Sequence, residues 1–368
     1  MQFGLVQYMD MHHFQNALSS CPYHFPLILV SESGAKRWGI DSLLLEKHQT
    51  SVGIWFSQID SNPTQYTVLR GLEAIRGRKI DGIIAIGGGS AVDLAKQISA
   101  FHTVKIEKAH DVLRVVQEKS YLENRTNILP ITAVPTTAGT GSEVTQWATL
   151  WDRDTGKKYS VDAPWLLPEK VWMVPELTIS LPARMTLAAG LDAVCQAVES
   201  YWSKASNPFS RALSVRAIEL ITQNLALALS DPHNLKLREN LCTGSLVAGL
   251  AFSQTRTTAC HSLSYPLTAQ FGIEHGLAAA ISLAQIAEIN KALVDISELE
   301  ALFAPCGGIQ GWVDSVCNGI LILRLSAFGV TEADFDTIVE NAFTGGRMDN
   351  NPMELSRDMV FEILKTIL

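Results

Sequence analysis

The sequence predicts a parallel α/β domain over residues 1–180, followed by an all-α domain over residues 181–368. Three observations carry that reading. Short, nearly continuous apolar runs alternate with helical stretches in the first half. Strand signals stop after Leu181-Pro182. The chain has 368 residues, which suits two domains at about 150 residues each.

The elements follow in order. Pro26–Ser31 reads as a buried strand closed by Ser33-Gly34, and Ser51–Phe56 as a second. Asp81–Ile86 is a third, running straight into Gly87-Gly88-Gly89-Ser90, and Asn127–Val134 is a fourth. Helical segments such as Tyr66–Arg76 lie between them. Strands apolar on both faces indicate a parallel sheet covered by helices on both sides. Beyond the boundary, helical patterns cover Arg184–Ser203, Pro208–Leu229, Leu235–Phe252 and Glu274–Leu293. Asn207-Pro208 and Asp231-Pro232 punctuate them.

Composition narrows the function. With 47% hydrophobic and 18% charged residues the chain can bury sizeable cores. Its net charge of −8 includes no large basic block, which argues against nucleic acid as a partner. Residues 1–11 lack a basic stretch followed by an apolar core, so no signal peptide is expected. No membrane-spanning run is expected either, because Ile218–Leu229 is broken by Glu219, Gln223 and Asn224. Six scattered cysteines without a CxxC pair read as reduced thiols of a cytoplasmic chain.

Two loops suggest a dinucleotide site. Gly87, Gly88, Gly89 and Ser90 link a buried strand to a helix, with Asp93 and Lys96 following. Glycines permit close approach, and a helix N-terminus offers N–H groups to a phosphate. The plainer alternative is a tight strand–helix turn capped by Ser90. Pro135–Glu143 follows another buried strand, and its Thr136, Thr137, Thr140 and Ser142 could hold phosphate or ribose oxygens. Its alternative is a capping loop. Two such loops at the carboxyl ends of parallel strands favour one shared ligand. Glu32, just past the first predicted strand, suits the ribose hydroxyls of NAD and would repel the 2′-phosphate of NADP, unless it is only a solvated loop acid.

A third constellation lies in the helical half. Asp192 and Gln196 share a helix face, with Glu199 near the same stripe. His261 and His275 stand fourteen residues apart in apolar, glycine-containing surroundings. One carboxylate and two imidazoles suit Fe²⁺ or Zn²⁺ with a position left open for a substrate oxygen. Histidines satisfied inside a core are the competing reading.

The segments GGGSAVDLAK, PTTAGTGSE, LPARMTLAAGLDAVCQAVESYW and HSLSYPLTAQFGIEHG resemble, in that order, the iron-containing (group III) alcohol dehydrogenases. The resemblance implies a Rossmann-like N-terminal domain, an all-helical C-terminal domain in a dehydroquinate synthase-like architecture, and a catalytic metal in the cleft. It implies NAD(P)H-linked interconversion of alcohols and aldehydes. Asp192, His261 and His275 match the family's metal ligands, whereas Gln196 stands where relatives carry a histidine. Tyr265 stands where many relatives have a proton-relaying histidine, and a phenol can do the same work. Lys158 matches a lysine on the cofactor side.

QAVESYW, Thr257-Thr258 and SYPLT look most like the phosphonoacetaldehyde reductase branch, with Arg184, Lys204, Arg211 and Arg256 as candidate partners of a phosphonate. The expected partners are therefore a small aldehyde or alcohol and a second copy of the chain, with neither nucleic acid nor membrane. A dehydroquinate synthase-type lyase and a degenerate cofactor-binding relative are the alternatives.

Overall fold

The computed structural model describes residues 4–49, 53–123, 127–343 and 345–368. The chain forms two compact units, Met1–Thr137 with Ser142–Ser180, and Ala138–Gly141 with Leu181–Leu368.

The strands of the first unit are β1 (Leu5–Tyr8), β2 (Pro26–Leu29), β3 (Ile54–Phe56), β4 (Gly82–Gly87), β5 (Ile131–Pro135), β6 (Trp147–Trp151), β7 (Lys158–Asp162) and β8 (Lys170–Met173). Its helices are α1 (Met11–Ser20), α2 (Glu32–Arg37), α3 (Asp41–Gln49), α4 (Gln65–Ile75), α5 (Gly89–Phe101) and α6 (Ala109–Glu118). Six strands form a parallel sheet in the order β1-β8-β5-β4-β2-β3, while β6 and β7 make an antiparallel hairpin. Alternation along the strands builds one core on each face. Leu27, Leu29, Ile83, Ala85, Ile131 and Ala133 enter one apolar cluster; Ile28, Val30, Ile84, Ile86 and Val134 enter the other.

The first, third and fourth predicted strands appear as β2, β4 and β5, and the described part of the second, Ser51–Phe56, as β3; Ser51 and Val52 lie outside the described residues. Sequence reading missed β1, β8 and the hairpin. The strand preceding Glu32 is accordingly the second of the sheet, not its first.

The second unit comprises α7 (Ala183–Trp202), α8 (Pro208–Ser230), α9 (Leu235–Thr255), α10 (Ala259–Phe271), α11 (His275–Ala280), α12 (Leu283–Asn290), α13 (Ser297–Phe303), α14 (Gly308–Cys317), α15 (Phe335–Ala342) and α16 (Arg357–Ile367). The expected helix Glu274–Leu293 is two helices, because Ser282 leaves the helical conformation (φ −105°, ψ 0°) to begin α12. Contrary to the sequence expectation, α8 is long and apolar enough to cross a membrane by length and composition, since Glu219, Gln223 and Asn224 do not offset its apolar residues. It is a core helix of this unit, and its Ile218, Ile221 and Leu225 join the same apolar cluster as Leu191 and Val194 of α7 and Leu241 and Ala248 of α9. None of the six cysteines is in a disulfide.

Candidate active site

The adjacent parallel strands β5, β4 and β2 deliver three segments to one carboxyl edge of the sheet: Thr136-Thr137, Gly87–Ser90 and Ser31-Glu32. Open parallel sheets bind ligands at that edge. Gly88 caps α5 without a side-chain hydrogen bond; the Ala91 N–H donates back to the Gly88 carbonyl at 3.0 Å, and the N–H groups that open the helix at Gly89 and Ser90 suit a phosphate. The Thr136 N–H donates to the Gly87 carbonyl at 3.0 Å. A Cβ on Gly88 would lie 3.1 Å from Thr137 Oγ1, so glycine keeps these two loops close. Glu32 is exposed in the first turn of α2, behind the Ser31 cap, and accepts from Ser57 Oγ at 3.4 Å.

Other motif side chains already have partners within the protein. Ser90 Oγ donates to the Ser61 carbonyl at 2.5 Å. Asp93 accepts from Ser142 Oγ at 2.5 Å and from the Thr149 N–H at 2.8 Å. Lys96, fully buried, donates to Ser142 O (2.6 Å), Ser142 Oγ (3.0 Å), Thr145 Oγ1 (3.2 Å) and Trp147 O (2.8 Å). Burial pulls its ammonium down to about 8, with Asp93 and Glu143 opposing. Burial likewise pushes Glu143 up to about 6. It also raises Asp93, against the charges of Lys96 and Lys158. Asp93, Lys96 and Ser142 thus tie the two loops together from behind. Lys158 lies on β7, paired with Trp151 of β6.

In the second unit, Asp192, His261 and His275 each offer a ligand atom within 4.8 Å of the others. Asp192 and Gln196 come from the i, i+4 face of α7 and are both buried. His261 lies on α10, and His275 is the first residue of α11. Glycine at position 276 makes the convergence possible. A Cβ there would sit 1.9 Å from the Ala188 carbonyl and 2.8 Å from Asp192 Cβ, so only glycine lets α11 begin against α7. Arg184 grips Glu274, the cap of α11, with Nε at 2.5 Å and Nη2 at 2.9 Å.

Both imidazoles are held from behind. His261 Nδ1 bonds to the Glu199 carboxylate, and its Nε2 lies 3.2 Å from Asp192 Oδ1. Ser264 Oγ donates to the His261 carbonyl at 2.7 Å, which leaves it to accept from His275 Nδ1 at 3.2 Å. In its neutral form each ring then keeps Nε2 as its lone-pair nitrogen. Burial disfavours the charged form of His261 most strongly, yet Glu199 and Asp192 together raise it to about 10.

Gln196 supplies the test of fit for a cation. Its Nε2 donates to the Thr140 carbonyl at 3.4 Å, which fixes the amide, and its Oε1 is buried with no hydrogen-bond partner. A buried orphan acceptor is costly unless something electropositive meets it. An oxygen pair and two imidazole nitrogens fit Fe²⁺ or Zn²⁺. Tyr265 is buried and stacks on His275, ring centroids 5.9 Å apart and planes 9° from parallel.

The four candidate anion-binding cations differ in placement. Arg184 is paired with Glu274, Lys204 Nζ donates to the Asp349 carbonyl at 2.8 Å, and Arg211 lies 5.0 Å over the Tyr201 ring. Arg256 ends α9 at φ +62° and ψ 173°, a conformation otherwise reserved for glycine. Sequence reasoning gave no role to Ser264 or Gly276. Polar residues flanking each histidine were the available signal.

A glycine loop and a hydroxyl-rich loop at the sheet edge of the α/β unit, and an Asp–His–His cluster in the helical unit, are the parts expected of a metal-dependent, dinucleotide-linked oxidoreductase. Residues 14–175 match the iron-containing alcohol dehydrogenase family model, and residues 186–305 match the model of the C-terminal part of the Fe-containing alcohol dehydrogenase family. The chain is 32% identical over 358 residues to the 1,3-propanediol dehydrogenase of Citrobacter freundii, covering 92% of this chain and 90% of that one. It is 31% identical over 308 residues to the phosphonoacetaldehyde reductase of Streptomyces viridochromogenes, covering 80% and 77%. The crystal structure of sulfoacetaldehyde reductase from Bifidobacterium kashiwanohense in complex with NAD⁺ superposes with a TM-score of 0.84 at 27% identity, covering 100% and 97%. The chain belongs to the iron-containing alcohol dehydrogenase family and is a metal-dependent, NAD-linked enzyme of that family. The phosphonoacetaldehyde reductase is one of several relatives at similar identity, so its branch is not singled out.

Proposed function

We propose that this enzyme reduces a small aldehyde bearing an anionic group, with NADH preferred and phosphonoacetaldehyde the foremost candidate. The observation that carries the chemistry is the convergence of Asp192, His261 and His275 beside the partnerless Gln196 Oε1. When bound, Fe²⁺ or Zn²⁺ supplies Lewis-acid polarisation of the aldehyde oxygen, and NADH supplies the hydride. The carboxylate, the two imidazoles and the amide oxygen hold the ion. The Tyr265 hydroxyl provides a proton donor beside His275. Backbone N–H groups of Gly87–Ser90 hold cofactor phosphate, while Thr136, Thr137, Thr140 and Lys158 hold its phosphate and sugar oxygens.

Two features support the anionic substrate. Two relatives are named for two-carbon aldehydes with a phosphonate or a sulfonate. Arg256 is held in a backbone conformation that costs about 1–3 kcal/mol, shortly before the Thr257–His261 segment. A guanidinium forms charge-assisted bonds to such an anion. The test compares phosphonoacetaldehyde with propanal as substrates of the wild type, Arg256→Ala and His275→Ala. The expected result is a phosphonate preference that Arg256→Ala erases through KM, with propanal little affected, and no activity in His275→Ala. Equal kcat/KM for the two aldehydes in the wild type would overturn the substrate reading. An active His275→Ala would overturn the metal site.

A further inference from the structure

Glu199 is wholly buried on α7, one turn beyond Gln196. Its Oε1 accepts from the Thr258 N–H (3.1 Å), Thr258 Oγ1 (2.8 Å), the Cys260 N–H (2.7 Å) and the His261 N–H (3.3 Å). Its Oε2 faces His261 Nδ1. Trp202 Nε1 donates to Thr258 Oγ1 at 2.9 Å, which directs that hydroxyl's proton toward the carboxylate. One oxygen therefore caps the start of α10, and the other meets the imidazole.

We propose that Glu199 is a positioning residue that locks His261 in the tautomer protonated at Nδ1, so that the Nε2 lone pair faces Asp192 and is available to a metal. The inference deepens the metal-dependent reading of the site and rests on it. Capping and tautomer control can be separated because the two oxygens have different partners. In Glu199→Gln the four donors require the amide oxygen at the Oε1 position. The amide NH₂ must then face His261 Nδ1, which has to accept. The imidazole proton moves to Nε2, where it hydrogen-bonds to Asp192 and blocks the ligand position. The cap survives, and the ligand is lost.

The experiment has two readouts on full-length wild type, Glu199→Gln and Glu199→Asp: Zn²⁺ affinity by competition with a chelator, and the ¹⁵N signals of His261. In Glu199→Gln we expect Zn²⁺ affinity to fall about 10–100-fold, as when such supporting partners are lost. The metal-free variant, read at a pH where His261 is neutral, should carry its single imidazole proton on Nε2. Glu199→Asp keeps the acceptor charge and should bind Zn²⁺ more tightly than Glu199→Gln. A Glu199→Gln protein that keeps its proton on Nδ1, or binds Zn²⁺ like the wild type, would overturn the inference. If Glu199→Gln does not fold, the wild-type signals decide: a Zn²⁺-loaded His261 protonated on Nε2 overturns the inference and one protonated on Nδ1 supports it. A wild type that binds no divalent metal would sink the metal reading instead, and the ¹⁵N signals of the metal-free variant would still test the tautomer.

Discussion

At the scale of single residues, Lys96 is the most informative side chain outside the metal cluster. A lysine deep in a core is costly when charged, and four acceptors from the Ser142–Trp147 segment offset that cost. Its pKa falls from 10.5 to about 8, so between those values the folded protein binds fewer protons than the unfolded chain. Stability from this group therefore rises with pH across that window, and the burial penalty is fully present below pH 8. Lys96→Met should destabilise the protein by about 2–4 kcal/mol by orphaning buried acceptors. The wild type should gain relative to the variant between pH 8 and 10.5, as read from urea midpoints. A gap that stays flat or narrows would show that Lys96 does not titrate as described. Sequence alone placed Lys96 beside a phosphate loop. That it braces the neighbouring loop depends on contacts 46 to 51 residues away, which no local pattern encodes.

At the scale of elements, legibility followed burial. Strands β2 and β4 are covered on both faces, so their apolar runs are almost unbroken and readable. β1 is an edge strand with Leu5 and Tyr8 exposed and leaves no run to read, whereas β8 is buried after its lysine but its apolar run is only Val171–Val174, too short to stand out. Pro266 inside α10 hid that helix, because proline reads as a stop even when one lost backbone bond is tolerated. The i, i+4 pair Asp192 and Gln196 was visible as a shared face, whereas the approach of His275 depends on Gly276 fitting under the Ala188 carbonyl. The end of β2 carries a prediction of its own. Glu32 sits in the first turn of α2 at the sheet's carboxyl edge, where its charge would repel the 2′-phosphate of NADP if the cofactor's ribose binds there. Wild-type kcat/KM should favour NADH over NADPH, and Glu32→Ala should cut that preference about tenfold. An unchanged ratio would remove Glu32 from the cofactor site.

At the scale of the whole molecule, each unit carries its own chemistry: backbone donors and hydroxyls at a parallel sheet edge in one, and an Asp–His–His cluster, buried but for a partly exposed His275, with an orphan amide oxygen in the other. The change from alternating elements to continuous helices near residue 180 was legible, because it alters the period of the apolar pattern along the chain. The return of Ala138–Gly141 to the helical unit was not. It depends on glycines whose missing Cβ atoms admit Ala189 and Gly249 to within 3 Å of where they would stand. The most direct test of the central claim is NADH consumption with an aldehyde substrate after the protein has been stripped by a chelator and reloaded separately with Fe²⁺ and Zn²⁺. The account predicts that stripping abolishes turnover and that at least one of the two ions restores it in proportion to the metal bound. Full turnover by protein with no detectable divalent metal would contradict it.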